Sequence, residues 1–358
     1  MTTLDLDALL ALPRLRLEAT LRPAQGTRFQ PTGFPDLGAA TYRLRRPAAK
    51  DEPETRMLIV ESPQSVANRL ELVCWDALSG DLVPAIAGMP YVRVEMGNEG
   101  EAPQVTASIL EAHRLNSSYI LKQAVHNGTL FAEEFRQAAK IPAKSKKGGK
   151  AKGPDGADGQ EEEAAGIGVL DVRHVAQTIF RYDPNSILHG VFLANLDGRV
   201  RFTRALSGFI EAENVRDAVS GGVKLDRVHA AGDTAEGYGN VPYARTEYTA
   251  EKVTAYFTLD MTLLRSYGLD PTAVRFLGAL GLWKIRRFLD SGLRLRTSCD
   301  FEVVGDLVAV VRGERCGMPD EASLESAVRQ AIVACRAAEG VFAEPAVTVV
   351  RRPVATSK

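Results

Sequence analysis

The sequence of 358 residues has few cysteines and no long apolar run. Its four cysteines, Cys74, Cys299, Cys316 and Cys335, are far apart and form no CxxC pair. This spacing argues against a zinc knuckle or a disulfide framework and predicts reduced, mostly buried thiols. No segment approaches the roughly 18 uncharged apolar residues of a membrane span. The start has acids among its leucines and a proline after Leu12, unlike a signal peptide, so we expect a cytoplasmic protein without membrane contact.

The common signatures of catalysis are also missing. The chain has no P-loop, no GxSxG and no dinucleotide fingerprint, and its five histidines form no HxxxH or HExxH pair. Asp36 is the only acid in the loop 25–43, and one carboxylate without partners is a poor metal site. The sequence therefore predicts no catalytic residue, no metal ligand and no cofactor.

Charge is balanced overall but uneven along the chain. The net charge of -1 excludes a uniformly electropositive surface, and the composition, 45% hydrophobic and 25% charged, is that of a folded protein. Residues 22–46 hold five arginines against one acid, and residues 265–296 hold seven basic residues against two acids. Two basic islands in a near-neutral chain indicate a polyanion held along a track, although scattered surface arginines would give similar counts.

Apolar periodicity predicts strands interleaved with helices. Leu15, Leu17, Ala19 and Leu21 alternate as one face of a strand, and the short apolar run 56–60 predicts a second strand. A helix follows, with Ser62 as N-cap and Pro63 in its first position; a long helix starts at Pro271 and a final one at Asp320. This order favours an α+β domain on a mostly antiparallel sheet.

Five further segments complete the prediction. Residues 107–121 have helical spacing, whereas 168–180 and 186–196 have the pattern of two strands around an Asp-Pro turn. The glycine-rich stretch 218–240 predicts a projecting hairpin. Residues 143–166, a lysine block followed by an acidic block, predict a disordered insertion that is either a solvated linker or a basic contact for nucleic acid.

Several segments together resemble the backbone subunits of CRISPR type I effector complexes. The stretch VESPQSVANRLE is similar to their turn in which a strand enters a Ser-x-Gln-Ser helix start. Resemblance to the type I-G (formerly I-U) branch is carried by LRPAQGTRFQPTGFPDLGAATY, EAHRLNSSYI, YDPNSILHGVFL, RALSGFIEAENV, SGGVKLDRV, GYGNVPYARTEYTAEKVTAYF and GLRLRTSCD. These segments span nearly the whole chain apart from the insertion.

The resemblance implies a RAMP-superfamily protein: a single palm domain over 1–358 with an RRM-like, ferredoxin-type antiparallel sheet core, helices, finger-like insertions and a thumb hairpin at 218–240. It implies a non-catalytic subunit that polymerises along the CRISPR RNA of a type I-G surveillance complex in antiviral defence. The implied partners are CRISPR RNA, target DNA, copies of the chain itself and the other subunits of the complex. Because the sequence has no RNP1 aromatic signature, we expect contacts with the RNA backbone rather than base stacking on the sheet.

Candidate contacts come from clustered donors and from the resemblance. A helix N-terminus offers unpaired N–H groups to a phosphate, and a loop rich in glycine and proline brings amides close to a nucleic-acid chain. The predicted RNA-binding residues are Arg22, Gln25, Arg28, Gln30, Ser62, Gln64, Ser65, Asn68, Arg69, His113, Arg114, Asn116, Lys224, Arg227, Arg294 and Arg296.

Ordinary roles stay open for these residues. Ser62 could serve only as a cap, residues 113–116 could satisfy a helix end, and the basic side chains could be solvated surface. Two other classes of function also stay open. One is a metal-dependent endoribonuclease on the same core with Asp36 as ligand, and the other is a small-molecule enzyme with no affinity for RNA.

Overall fold

The computed structural model describes residues 3–34, 36–45, 54–97, 104–141, 170–196 and 200–352, so the predicted insertion 143–166 lies outside the described residues. The α-helices of this part are α1 (Leu6–Ala11), α2 (Pro63–Leu72), α3 (Ser118–Leu121), α4 (Phe131–Ala138), α5 (Val172–Tyr182), α6 (Pro184–His189), α7 (Met261–Ser266), α8 (Pro271–Asp290) and α9 (Glu321–Ala337). None of them is both long and apolar enough to cross a membrane.

The strands of the described residues vary from two to thirteen residues. They are β1 (Leu15–Pro23), β2 (Gly33–Phe34), β3 (Gly38–Ala39), β4 (Thr41–Leu44), β5 (Thr55–Glu61), β6 (Trp75–Asp76), β7 (Asp81–Leu82), β8 (Tyr91–Met96), β9 (Gln104–Ala107), β10 (Val125–His126), β11 (Thr129–Leu130), β12 (Val191–Phe192), β13 (Arg201–Phe202), β14 (Leu206–Glu213), β15 (Arg216–Lys224), β16 (Val241–Thr249), β17 (Lys252–Leu259), β18 (Leu293–Arg296), β19 (Cys299–Val311), β20 (Glu314–Gly317) and β21 (Val347–Arg352). The predicted mixture of helices with antiparallel sheets is confirmed.

The chain divides into two compact units, each assembled from three separated stretches. Unit 1 comprises the described residues within Met1–Val73, Leu206–Asp260 and Gly281–Leu324. Unit 2 comprises those within Cys74–Ala205, Met261–Leu280 and Glu325–Lys358. The single domain predicted over 1–358 did not separate the two, because local sequence patterns do not signal which distant stretches pack together.

Unit 1 contains a sheet in the order β18-β19-β1-β17-β14-β5-β4. The strand β20 pairs with the C-terminal part of β19. Its strands pair antiparallel throughout, and Leu17 lies opposite Phe257 on one side and Ala309 on the other. The predicted alternation of β1 is confirmed, since Leu15, Leu17, Ala19 and Leu21 are all buried.

Helices cover the buried face of this sheet. The rings of Phe257 in β17 and Phe288 in α8 are 6.2 Å apart, and α2 packs on β14 through buried Val66 and Leu70. Gly208 in β14 leaves room for the Phe257 ring, because a Cβ at Gly208 would lie 2.5 Å from it. The face is therefore packed closely enough that one strand position tolerates only glycine.

A two-stranded hairpin interrupts the connection between the central strands β14 and β17. It consists of β15 and β16, paired antiparallel from Arg216↔Thr249 to Lys224↔Val241, with an exposed loop 225–240 between them. We call residues 216–249 the arm. In the loop, Asp226 accepts hydrogen bonds from the backbone N–H groups of Val228, His229 and Gly239, and these bonds lower its pKa. The loop thus has a defined local structure, and the hairpin extends further on both sides than 218–240.

Unit 2 contains a five-stranded sheet in the order β11-β10-β21-β8-β9, in which β21 and β8 are parallel. The predicted strand at 168–180 is wrong, since the chain forms α5 there; the one at 186–196 is wrong up to His189, where α6 ends, and β12 follows at Val191–Phe192. Asp171 caps α5, and Asp183 caps α6 by accepting from the N–H of Asn185. The Asp-Pro pair that predicted a turn begins a helix instead, because Asp is a favourable N-cap and Pro is favourable in the first helical position.

The helix predicted over 107–121 is also wrong. The strand β9 ends at Ala107, a turn follows, and Arg114–Asn116 form one 3₁₀ turn before the short α3. Glu111 stabilises the turn by accepting from the hydroxyls of Thr106 and Ser117. The apolar spacing reflects burial of Ile109 and Leu115 in the core rather than a helix face.

Thiol chemistry gives a first test of the fold. Cys74, Cys299 and Cys335 are buried and Cys316 is half-buried, as predicted. Burial raises the pKa of Cys299 to about 12 and that of Cys335 to about 11, so both thiols stay protonated and unreactive near pH 8. We expect iodoacetamide to add rapidly to Cys316 alone, as counted by intact-mass spectrometry. The same protein in guanidinium should take up a label on every cysteine, and rapid labelling of Cys299 in the folded state would contradict this packing.

Candidate nucleic-acid interface

Two clefts lie in unit 1 and share Thr297. The first, of about 630 Å³, is lined by residues 24–28, Glu247 and the turn from Arg294 to Asp300. The second, of about 970 Å³, is lined by Gln30, residues 31–33, part of β16 and Arg296. The glycine-rich loop that follows β1, the base of the arm and the β18–β19 turn therefore form the walls of both clefts.

Main-chain hydrogen bonds hold the loop in place. The N–H of Ala24 donates to the carbonyl of Asp300 at 2.8 Å, and the N–H of Gln30 donates to that of Ser298 at 2.7 Å. Phe29 and Tyr248 exchange two bonds of 2.9 Å, which tie the loop to the base of the arm. Between these ties, Gly26 has a φ of +65°, and the residues 25–28 are exposed. The loop presents its tip to solvent from a fixed frame.

Arg69 and Arg296 are both engaged with one buried carboxylate. Glu61 at the end of β5 is 0% exposed, and its Oε1 lies 2.9 Å from Arg69 Nη2 and 2.5 Å from Arg296 Nη2. Arg69 also donates to the carbonyl of Leu295, and Arg296 Nη1 donates to that of Gln30 at 3.0 Å. These two arginines join α2, β5, β18 and the loop, and we call them with Glu61 the brace.

Arg28 and Arg245 flank a second buried carboxylate, but more loosely. Arg28 Nη1 is 3.6 Å and Arg245 Nη1 is 3.8 Å from the oxygens of Glu247, whose side chain is only 6% exposed. Ser220 Oγ donates to Glu247 at 3.0 Å, and Arg245 donates to Ser298 Oγ at 3.2 Å. Arg28 is 58% exposed and Arg245 is 35% exposed, so their guanidinium groups reach solvent.

Sequence reasoning missed Arg245 and Ser298. The available signal was Arg245 itself, a basic residue just before the alternating stretch 247–260. Nothing in either segment indicates that the two meet, because their proximity depends on the pairing of β15 with β16 and on the turn after β18. Ser298 occupies that turn with a φ of +59°, and β18 and β19 form a hairpin around it.

The start of α2 has the predicted cap. Ser62 Oγ accepts from the N–H of Ser65 at 3.2 Å, and Pro63 occupies the first turn. The Gln64 amide donates to Asn68 Oδ1 at 3.0 Å, and both side chains are exposed. Because Glu61 precedes the cap directly, the helix start is next to the brace.

Among the remaining predicted residues of unit 1, the basic ones are exposed, whereas Gln30 is half-buried. Arg22 pairs with Glu302 at 2.5 Å on the sheet, and Arg294 is 3.9 Å from Asp300 at the rim of the first cleft. Gln30 Oε1 is buried without a hydrogen-bond partner among the described residues, beside the second cleft. Lys224 and Arg227 are exposed at the far end of the arm.

The arm has two different faces. Register places Tyr243 opposite Gly222 and Arg245 opposite Ser220, on the same face as Lys224. The Arg245 guanidinium lies 5.8 Å from the centre of the Tyr243 ring, which covers Gly222. The opposite face carries exposed apolar residues, namely Val219, Val223, Pro242 and Ala244. One face is therefore cationic and aromatic, and the other is apolar.

Three predicted residues lie in unit 2, apart from this group. His113 is exposed, whereas Arg114 is buried and donates to the carbonyl of Gly190 at 3.0 Å. Asn116 accepts from the N–H of Asn195 at 3.0 Å through its buried side chain. The contacts of Arg114 and Asn116 are those of residues that hold a loop in the core.

Two other features bear on chemistry. Asp36 is exposed in a turn, and in the described part of the chain no three His, Cys, Asp or Glu side chains form a potential metal site. The face of the unit 1 sheet opposite the helices carries Glu18 and Glu211 beside a stacked Phe209–Tyr256 pair, with ring centres 5.1 Å apart. Burial, and secondarily the charge of Glu213, raises the pKa of Glu211. Glu18 is paired with Arg315 at 3.3 Å, so the charge on this face is mixed.

Comparison with known proteins gives one family. The model of the family described as CRISPR-associated protein GSU0053 matches residues 15–217. No curated protein is significantly similar to the sequence. A chain of a solved structure described as "CRISPR RNA-guided surveillance complex, pre-nicking" is similar over 85% of this chain and 77% of that chain, with a TM-score of 0.36 and 16% identity.

Proposed function

Because the chain belongs to the family of CRISPR-associated protein GSU0053, we propose that it is a non-catalytic backbone subunit that binds CRISPR RNA in a type I-G surveillance complex. Copies of it polymerise along the guide and present the guide's bases to target DNA in antiviral defence. The observation that carries the proposal is the pair of arginine-lined clefts at the base of the arm. The other subunits of the complex, target DNA and further copies of the chain are its partners.

The topology of unit 1 supports an RRM-like, ferredoxin-type core. In chain order, β1, α2, β14, β17, α8 and β19 alternate as β-α-β-β-α-β. In the sheet their order is β19-β1-β17-β14, so β17 lies between β1 and β14. This arrangement is the split βαβ unit of the ferredoxin-like motif. The arm enters between the second and third core strands, where the RAMP-type thumb is expected.

The distribution of charge supports binding through the RNA backbone. Arg28 and Arg294 line the first cleft and Arg245 lines the second, and each can donate to phosphate oxygens. On the sheet face that reads bases in a typical RRM, the rings of Phe209 and Tyr256 are stacked on each other here, beside Glu18 and Glu211. A subunit that must accept any spacer sequence requires this kind of readout, because base pairing supplies the specificity.

The apolar face of the arm supports assembly into a filament. Exposed Val219 and Val223 form an apolar surface that a neighbouring copy can bury. A contact between an arm and a different surface of the next copy is heterologous, so it extends into a helical filament rather than closing.

RNA binding tests the proposal. We expect the purified protein to bind labelled single-stranded RNA in steps as RNA length increases, with equal affinity for unrelated sequences. Affinity should fall steeply with salt, by a slope of about 0.7 per phosphate contact on a log scale, because bound counterions are released. A protein that is folded by circular dichroism but binds no RNA at low salt, alone or co-expressed with a CRISPR transcript, would overturn the proposal.

The non-catalytic assignment has its own test. Complexes of wild type and Asp36→Ala are incubated with RNA complementary to the guide and with magnesium, and the RNA is resolved on a denaturing gel. We expect the RNA to stay intact with both proteins, because Asp36 is exposed and belongs to no group of three potential metal ligands among the described residues. Cleavage by wild type that the variant loses would establish the endoribonuclease instead.

A further inference from the structure

The two buried carboxylates of unit 1 hold their arginines in different ways. In the brace, Glu61 lies within hydrogen-bond distance of both guanidinium groups, which also donate to backbone carbonyls. Glu247 lies 3.6 Å from Arg28 and 3.8 Å from Arg245, beyond hydrogen-bond distance to either. The arginines of the brace are committed to the fold, whereas those beside Glu247 are held by charge and keep donors for a ligand.

The position of Glu247 is fixed independently of these arginines. It belongs to β16, and Ser220 on the paired strand β15 donates to its Oε2 at 3.0 Å. Its carboxylate is nearly fully buried at the base of the arm, although the first cleft is lined by the same residue. A carboxylate so placed is a fixed negative point that attracts one guanidinium from the loop and one from the arm.

We propose that Glu247 is a positioning residue that aligns Arg28 and Arg245 as one phosphate subsite, an assignment that rests on the proposed function. Two guanidinium groups around one carboxylate leave a surplus of one positive charge, which matches one phosphodiester. Both arginines keep their place before RNA arrives, so less side-chain freedom is lost on binding. Ser298 assists by accepting from Arg245 Nη1, the same nitrogen that lies 3.8 Å from Glu247.

This role predicts an effect opposite to that of simple charge. Glu247→Gln removes a negative charge next to RNA, and electrostatics alone would tighten binding. If Glu247 aligns the arginines, the variant instead binds RNA about tenfold more weakly, and its salt slope falls by about 0.7 because one phosphate contact is lost. Glu247→Asp keeps the charge but withdraws it by one methylene, and it should also weaken binding.

Matched variants separate alignment from other effects. Glu325→Gln changes the net charge equally at an exposed pair in unit 2 and should bind as wild type. Arg28→Gln should weaken RNA binding in the wild-type background. It should have little further effect on binding in the Glu247→Gln background, because the arginine is no longer aligned there. Circular dichroism and urea unfolding of each variant verify the fold, and the single variants Arg28→Gln and Arg245→Gln report on the subsite even if Glu247→Gln does not fold.

The outcomes are distinct. Absence of RNA binding by wild type would overturn the proposed function together with this subsite. RNA binding by wild type with Glu247→Gln equally tight or tighter, at an unchanged salt slope, would overturn the positioning role alone. If Glu247→Gln does not fold, additive effects of Arg28→Gln and Arg245→Gln in the double variant would overturn it as well.

Discussion

Reversing three arginines that line the two clefts is expected to weaken RNA binding by at least about a thousandfold at low salt. The variant is Arg28→Glu, Arg245→Glu and Arg294→Glu. Each charge-assisted contact with phosphate contributes about tenfold, and the new carboxylates repel the chain. The salt slope should fall by about 2, since three contacts at about 0.7 each are lost. Fluorescence anisotropy with labelled single-stranded RNA across a salt series measures both quantities.

The control carries the same change of net charge in unit 2. Arg329, Arg336 and Arg351 are exposed and pair only with surface carboxylates among the contacts described, so their reversal leaves the clefts intact. We expect this control to lose affinity only modestly, through the overall field of the protein. An equal loss in the two triple variants would mean that RNA responds to net charge and that the clefts are not its binding site.

Replacing Glu61 with alanine is expected to lower the free energy of unfolding by about 3 kcal/mol. Removing one partner of a buried ion pair leaves the other charge uncompensated, at a cost of about 3 to 5 kcal/mol. The lower value applies because Arg69 and Arg296 are each about a quarter exposed and regain some hydration. Urea unfolding followed by circular dichroism measures the change.

An exposed pair provides the comparison. Glu302→Ala removes the partner of Arg22, where both side chains are well exposed, and should cost less than about 1 kcal/mol. A Glu61→Ala protein as stable as the Glu302→Ala protein would contradict the brace. Glu61→Gln keeps an acceptor for one guanidinium, so its loss in the free energy of unfolding should lie between the losses for Glu61→Ala and Glu302→Ala.

Local signals predicted the parts of unit 1 that depend on local chemistry. The alternation in β1 and the Ser62–Pro63 helix start were predictable because side-chain period and capping are properties of neighbouring residues. The same signals failed in unit 2. There, Asp183–Pro184 fits a turn and a helix cap equally well, and tertiary packing decides between them.

The interface could be predicted only in part, for a related reason. The sequence indicates that Arg28 and Arg296 lie in basic, turn-rich segments, but not that each meets a buried carboxylate. Arg69 and Arg296 were predicted to contact RNA, and their tight pairing with Glu61 indicates a supporting role. Arg245 lies in an ordinary alternating strand, and the Phe29–Tyr248 bridge brings the loop of Arg28 to the same carboxylate.

The loop after β1 is held by its peptide groups rather than by its side chains. Hydrogen bonds from Ala24, Phe29 and Gln30 reach three backbone carbonyls, and such bonds are insensitive to which amino acid carries them. Substitutions at Gln25, Thr27 and Arg28 can therefore change what the loop offers to a ligand without moving its frame. The affinity of the loop for a polyanion can therefore be changed by single substitutions at its tip, while the backbone hydrogen bonds keep the conformation of the loop.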